Sequence, residues 1–109
     1  MKDKITFTAE ISVIPIRINN KNTSMSDEIA SVYDAIKRVE NTKITLTAMG
    51  TQIEAKNLES ILEIVELTHK ILRKRGIKRI ISSIRIDERI DKYQTLNNKI
   101  KSVKQKLKK

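Results

Sequence analysis

The sequence predicts an α+β fold: one antiparallel sheet with helices packed on one of its faces. Three observations carry this reading. Stretches with period-two alternation recur near residues 5–13, 44–54 and 77–87. Two stretches with helical spacing lie between them, near 26–36 and 58–72. The middle alternating stretch is interrupted by Met49-Gly50, so two strands follow one another without an intervening helix. That order is β-α-β-β-α-β.

The first strand places Phe7, Ala9 and Ile11 on one face and Thr6, Thr8, Glu10 and Ser12 on the other. The alternation slips at Val13-Ile14 and Pro15 follows, which predicts a bulge or bend. Residues 19–23 read as a loop. Ser24 and Ser26 are candidate helix caps, and Asp27 and Glu28 suit the first turn, where the helix dipole favours acids. Ile29, Val32, Tyr33 and Ile36 then form one apolar face, and Asn41 suits a left-handed cap. Residues 44–47 and 52–54 predict a hairpin, with Gly50 supplying the positive φ of a tight turn. Asn57 caps the second helix, whose expected stripe is Leu58, Ile61, Leu62, Val65 and Leu72. Gly76 ends it, just after Arg73, Lys74 and Arg75. Residues 77–87 form the last strand. A final helix from about 95 to 107 carries Leu96, Ile100, Val103 and Leu107 at spacings of 4, 3 and 4, a narrow heptad-like seam. The expected architecture is a ferredoxin-like two-layer sandwich, antiparallel sheet order 4-1-3-2, plus a C-terminal helix, in one domain spanning 1–109.

Composition narrows the function classes. There is no cysteine, so neither a disulfide framework nor a thiolate nucleophile is available. No apolar run approaches the roughly 18 residues of a membrane span, and the N-terminal residues lead into an alternating strand, so a cytoplasmic protein is expected. Net charge is +10, unevenly spread: residues 1–69 hold 8 Lys/Arg against 10 Asp/Glu, and residues 70–109 hold 15 against 3. The basic half reads either as a solvated helix and tail or as a phosphate-binding surface for nucleic acid. Two glycines in total exclude a glycine-rich phosphate loop. His69, the single histidine, falls at the edge of an apolar stripe and suits a structural role. Asp87, Glu88 and Asp91 beside Arg89 and Lys92 read as a loop with local ion pairs, ahead of a divalent-metal site. An acylphosphatase-like site would want glycines beside Arg17 and Asn19, and none is there. An RNA-recognition module would want stacking aromatics on strands one and three; Phe7 is expected to face the core and 51–54 has none.

In this topology one sheet face stays uncovered. Its expected residues are Thr6, Thr8, Glu10 and Ser12, then Thr45 and Thr47, Gln52 and Glu54, and Ser83 and Arg85, with Glu10, Glu54 and Arg85 on neighbouring strands. Such a group is either a surface salt bridge or a polar surface between subunits that suits a cationic ligand.

Three segments, AEISVIPI at 9–16, MGTQIE at 49–54 and SIRIDERID at 83–91, with TLNNKIKSV at 95–103, resemble the thiamine-binding protein family. It is also known as uncharacterised protein family 45 and as the MTH1187/YkoF-like family. The resemblance implies a ferredoxin-like fold, sheet-to-sheet homodimers and often homotetramers. It also implies binding of thiamine or its hydroxymethylpyrimidine half, with no catalysis and no further cofactor. It sets Met49 and Thr51 at a pocket rim, Met for a flat ring and Thr for a ring nitrogen. With the uncovered-face residues and nearby hydroxyls the candidate ligand set is Glu10, Ser12, Ser24, Met49, Thr51, Glu54, Ser83 and Arg85. The chain departs from the family pattern at Ala48, often proline, at Ala55, often glycine, and at Arg17, commonly glycine. The 17–22 loop is therefore atypical.

Overall fold

The computed structural model describes residues 5–16, 25–92 and 94–107. Chain order is β1 (Phe7–Ile16), α1 (Ser26–Ile36), β2 (Thr42–Leu46), β3 (Thr51–Ala55), α2 (Leu58–Lys74), β4 (Arg79–Glu88) and α3 (Leu96–Lys106). The four strands form one antiparallel sheet in the order β2-β3-β1-β4. This is the expected ferredoxin-like sandwich with its C-terminal helix.

β1 is the spine. Phe7, Ala9, Ile11 and Val13 are buried on its helix-facing side and join Ile53 and Ala55 of β3. Val32 and Ile36 of α1, and Ile61, Ile64 and Leu72 of α2, close the core above them. The expected bulge at Val13-Ile14 does not form. β1 pairs with β4 without a break from Phe7↔Glu88 to Ile16↔Arg79. Val13 and Pro15 keep the buried face while Ile14 turns outward. The apparent slip came from an apolar residue on the open face. Pro15 is tolerated because β3 has already ended at Ile11↔Thr51, leaving β1 a neighbour on one side only.

The helices form where expected, with local corrections. α1 begins after Met25, which makes no side-chain cap hydrogen bond. Ser24 and the 19–23 loop lie outside the described residues. Asn41 does take a left-handed φ of 66°, but in the turn before β2, five residues past the end of α1. Asn57 caps α2 as its sequence suggests, its side chain accepting a hydrogen bond from Ser60 N–H at 2.8 Å. The buried stripe of α2 is rotated from the expected one. It runs Ile61, Ile64, Thr68 and Leu72, while Leu58 and Leu62 face outward. Thr68 conceals the pattern: it is polar in sequence, yet its hydroxyl donates to the Ile64 carbonyl at 2.8 Å and so can be buried. On β4, Ile84 and Ile86 oppose Ile11 and Ala9 on the helix-facing side but stay partly exposed, since β4 is an edge strand at the margin of the helix layer.

α2 ends in a complete Schellman motif. Ile77 N–H donates to the Leu72 carbonyl at 3.1 Å and Gly76 N–H to the Arg73 carbonyl at 3.0 Å. Gly76 holds φ 88°, and Ile77 and Leu72 are both buried. A Cβ at Gly76 would meet nothing within 4 Å, so the cost of a side chain there is conformational alone. Gly76→Ala is expected to lower stability by about 1–2 kcal/mol, the cost of a left-handed L-residue. Urea unfolding should show this as a lower midpoint at unchanged slope.

Candidate ligand site

The β2–β3 hairpin closes on Gly50. Its carbonyl accepts from both the N–H (2.9 Å) and the hydroxyl (2.7 Å) of Thr47. Gly50 does not have the positive φ expected of it; Gly76 is the glycine that does. Its requirement is space. A Cβ at Gly50 would lie 3.1 Å from the Ile11 carbonyl oxygen and 3.5 Å from Glu10 Cγ and Ser12 Cβ. The glycine lets the hairpin tip settle directly onto β1, between the side chains of Glu10 and Ser12.

Two concavities lie on either side of the sheet in this region. On the helix side of the tip is an apolar cavity of about 120 Å³. Its floor is core: Ile11, Val13, Val32, Ile36 and Thr68. Its rim is Met25, Leu46, Met49, Thr51 and Ser12. Met49 is 86% exposed, a large thioether in water at the mouth of an apolar space. On the open face of the sheet is a shallower polar groove bordered by Thr8, Glu10, Gln52, Arg85, Asp87, Leu96 and Lys99.

The strand register places the candidate residues. Glu10 stands opposite Arg85 on one side and Gln52 on the other, and Ser12 opposite Ser83. Glu10, Ser12, Ser83 and Arg85 thus form one contiguous patch beside the hairpin tip that carries Met49 and Thr51. The Glu10 carboxylate accepts from Gln52 Nε2 at 3.5 Å. Glu54 is set apart. It opposes Thr8, is buried to 6% exposure, and its carboxylate accepts from the Leu96 N–H at 2.6 Å. It anchors the first turn of α3 by placing an anion at the positive end of the helix. Ser24 lies outside the described residues. Gln52 and Thr47, expected on the uncovered face, and Leu96 also border this region, although none of the three belongs to the candidate ligand set.

The remaining sequence candidates have structural partners. His69 Nε2 and the Ser82 hydroxyl are hydrogen-bonded at 3.0 Å, tying α2 to β4. Asp91 takes two hydrogen bonds from Arg89, at 2.8 and 2.7 Å, which hold its carboxyl down at about 2. Asp87 pairs with Lys99. Among the described residues no group of three or more His, Asp or Glu side chains could hold a metal ion, and no helix is long and apolar enough to cross a membrane.

The Gly50 contact carries a direct consequence. Gly50→Ala should lower stability by about 1–3 kcal/mol through overpacking against a backbone carbonyl that has no rotamer to yield. Chemical denaturation measures it. Glu54→Gln keeps an acceptor but removes the charge, and amide exchange at Leu96 is expected to quicken while the β1 amides stay protected.

A family model described as thiamine-binding protein matches residues 9–104. A UPF0045 protein of Methanothermobacter thermautotrophicus is 34% identical over 100 residues, covering 92% of this chain and 98% of that relative. The UPF0045 protein YqgV of Bacillus subtilis is 32% identical over 102 residues, covering 91% and 95%. Among solved structures, hypothetical protein MJ1052 of Methanocaldococcus jannaschii superposes with a TM-score of 0.75 at 32% identity, covering 91% of this chain and 96% of that one. With that match over most of its length, and with the fold just described, the chain belongs to the thiamine-binding protein family.

Proposed function

We propose that this chain is a single-domain, non-enzymatic protein that binds thiamine or its hydroxymethylpyrimidine half. It acts in the cytoplasm as a homodimer or homotetramer, with the ligand at or near an interface between open sheet faces. The observation that carries the reading is the family match over 9–104, joined to an apolar cavity beside the matched MGTQIE segment. The chemistry of the rim supports it. A flat heteroaromatic ring suits an apolar slot faced by a polarizable thioether, here Met49. Hydroxyls at Thr51 and Ser12 can satisfy ring nitrogens. Glu10 beside the hairpin tip can accept from an exocyclic amine and offset a cationic thiazolium. Ser24, Ser83 and Arg85 complete the proposed set, and Glu54 contributes by fixing α3 at the end of the same face.

The open face supports the interface. Ile14 and Ile81 stand opposite one another on it, 51% and 43% exposed, at the end of the sheet away from α3. An aliphatic pair beside a polar patch is what a face covered by a second subunit presents.

Isothermal titration calorimetry with thiamine and with hydroxymethylpyrimidine should give saturable binding near one ligand per chain. Met49→Ala and Glu10→Gln are each expected to weaken it about tenfold, or ~1.4 kcal/mol. Wild-type affinity in both variants would remove these residues from the site. No heat with either compound would remove the ligand.

A further inference from the structure

The cations of the C-terminal half do not form one surface. They gather at the two ends of β4, a strand of ten residues that is about 30 Å long. At its C-terminal end the charge is partly neutralised or interleaved with apolar side chains. Arg89 is held by Asp91 and Lys99 by Asp87, and the other lysines of α3 flank the exposed Ile100, Val103 and Leu107. At its N-terminal end, residues 70–79 hold six Lys/Arg and no Asp/Glu. All six are exposed.

The end of α2 gathers these charges. Lys70, Arg73 and Lys74 stand at i, i+3 and i+4, on one face of the last turns of the helix. The Ile77 hydrogen bond back to Leu72 then reverses the chain, and Lys78 and Arg79 leave beside that turn to begin β4. Arg79 lies on the same sheet face as Ile81. Arg75 is fixed by a neutral partner: its Nη1 donates to the Ser31 hydroxyl at 2.8 Å, which orients the guanidinium and leaves its charge uncancelled. Among the described residues none of the six forms a salt bridge. The helix dipole favours Arg73 and Lys74, but its effect ends within the last turn and does not reach Lys78 or Arg79.

The chemistry of this corner selects a partner. Three of the six cations are arginines, whose planar forks take two phosphate oxygens at once. Residues 70–79 include no aromatic side chain to stack on a base. The contact they offer is therefore to phosphates and carries no sequence information. A bilayer surface favours basic segments with apolar side chains to insert. Here Leu72 and Ile77 are buried in the core, and no large apolar side chain in 70–79 is exposed.

We propose that the α2–β4 corner binds the phosphate backbone of a nucleic-acid duplex, independently of sequence. None of its six cations lines the cavity beside the hairpin tip, so this site does not rest on the thiamine reading.

The test is fluorescence anisotropy of a labelled, mixed-sequence DNA duplex of about 20 base pairs, titrated with the full-length protein at about 50 and about 200 mM salt. Four engaged cations predict an affinity that falls about a hundredfold between the two. Arg73→Gln, Arg75→Gln and Arg79→Gln together should remove most of that dependence, about one unit of the log–log slope per arginine. Lys101→Gln, Lys104→Gln and Lys106→Gln remove the same net charge from α3 and should leave the slope within about one unit of wild type. Arg79→Gln alone lies outside the helix and should lower the slope by about one, so a folding defect in the triple variant does not decide the result. No binding at the lower salt overturns the proposal, as does an unchanged slope in the arginine variants. An equal loss in both triple variants overturns it in favour of net charge, and a loss in the lysine variant alone in favour of α3. Binding to phosphatidylserine vesicles with none to the duplex overturns it in favour of a lipid surface.

Discussion

The structure depends on β1 being an interior strand whose alternate residues serve two different solvents. Phe7, Ala9, Ile11 and Val13 enter the core, while Glu10 and Ser12 are half-buried on the opposite face and Thr8, on that same face, is buried beside the start of α3. A one-residue slip would exchange the two sets, placing Glu10 against Ile61 and Ile64 and turning Ile11 outward. The register with β3 and β4 is therefore also the placement of the ligand-facing residues. Core and site share one constraint, and a sequence that satisfies one has little freedom to abandon the other.

The same constraint explains Gly50. The hairpin tip must lie against β1 for the cavity to have a rim, and the Ile11 carbonyl leaves no room for a Cβ. Glu54 plays the corresponding part at the other end of the open face. A carboxylate buried to 6% exposure is costly unless its hydrogen-bonding capacity is used. The Leu96 N–H at the start of α3 uses it, so a charged residue of the sheet fixes where the last helix departs. The two polar anchors at the sheet's ends, Thr47 with Gly50 and Glu54 with Leu96, bracket the patch formed by Glu10, Ser12, Ser83 and Arg85.

The sequence made the fold legible because its elements are strongly periodic and well punctuated: Asn57 opens α2, Gly76 closes it, and α3 starts where its seam begins, at Leu96, with Thr95 as its cap. What stayed hidden was set by partners distant in the chain. Thr68 is a core residue only because the Ile64 carbonyl accepts its hydroxyl. Ile14 looked like a phase error until its partner Ile81 showed that the open face carries an aliphatic pair. Gly50 was read for its backbone freedom, which is local, whereas its need is clearance from Ile11, which is tertiary. Of the site, the opposition of Glu10 and Arg85 followed from strand order and alternation. The diversion of Glu54 to α3 required knowing where a helix some forty residues later begins.

If the cavity beside the hairpin tip receives the ligand's ring, methionine-methyl NMR will register it, because Met25 and Met49 both border that cavity. With ¹³C-methyl-methionine protein titrated with hydroxymethylpyrimidine and with thiamine, the Met25 and Met49 signals are expected to move together and saturate with the binding isotherm. Saturable binding that leaves both signals in place would put the ligand outside this cavity.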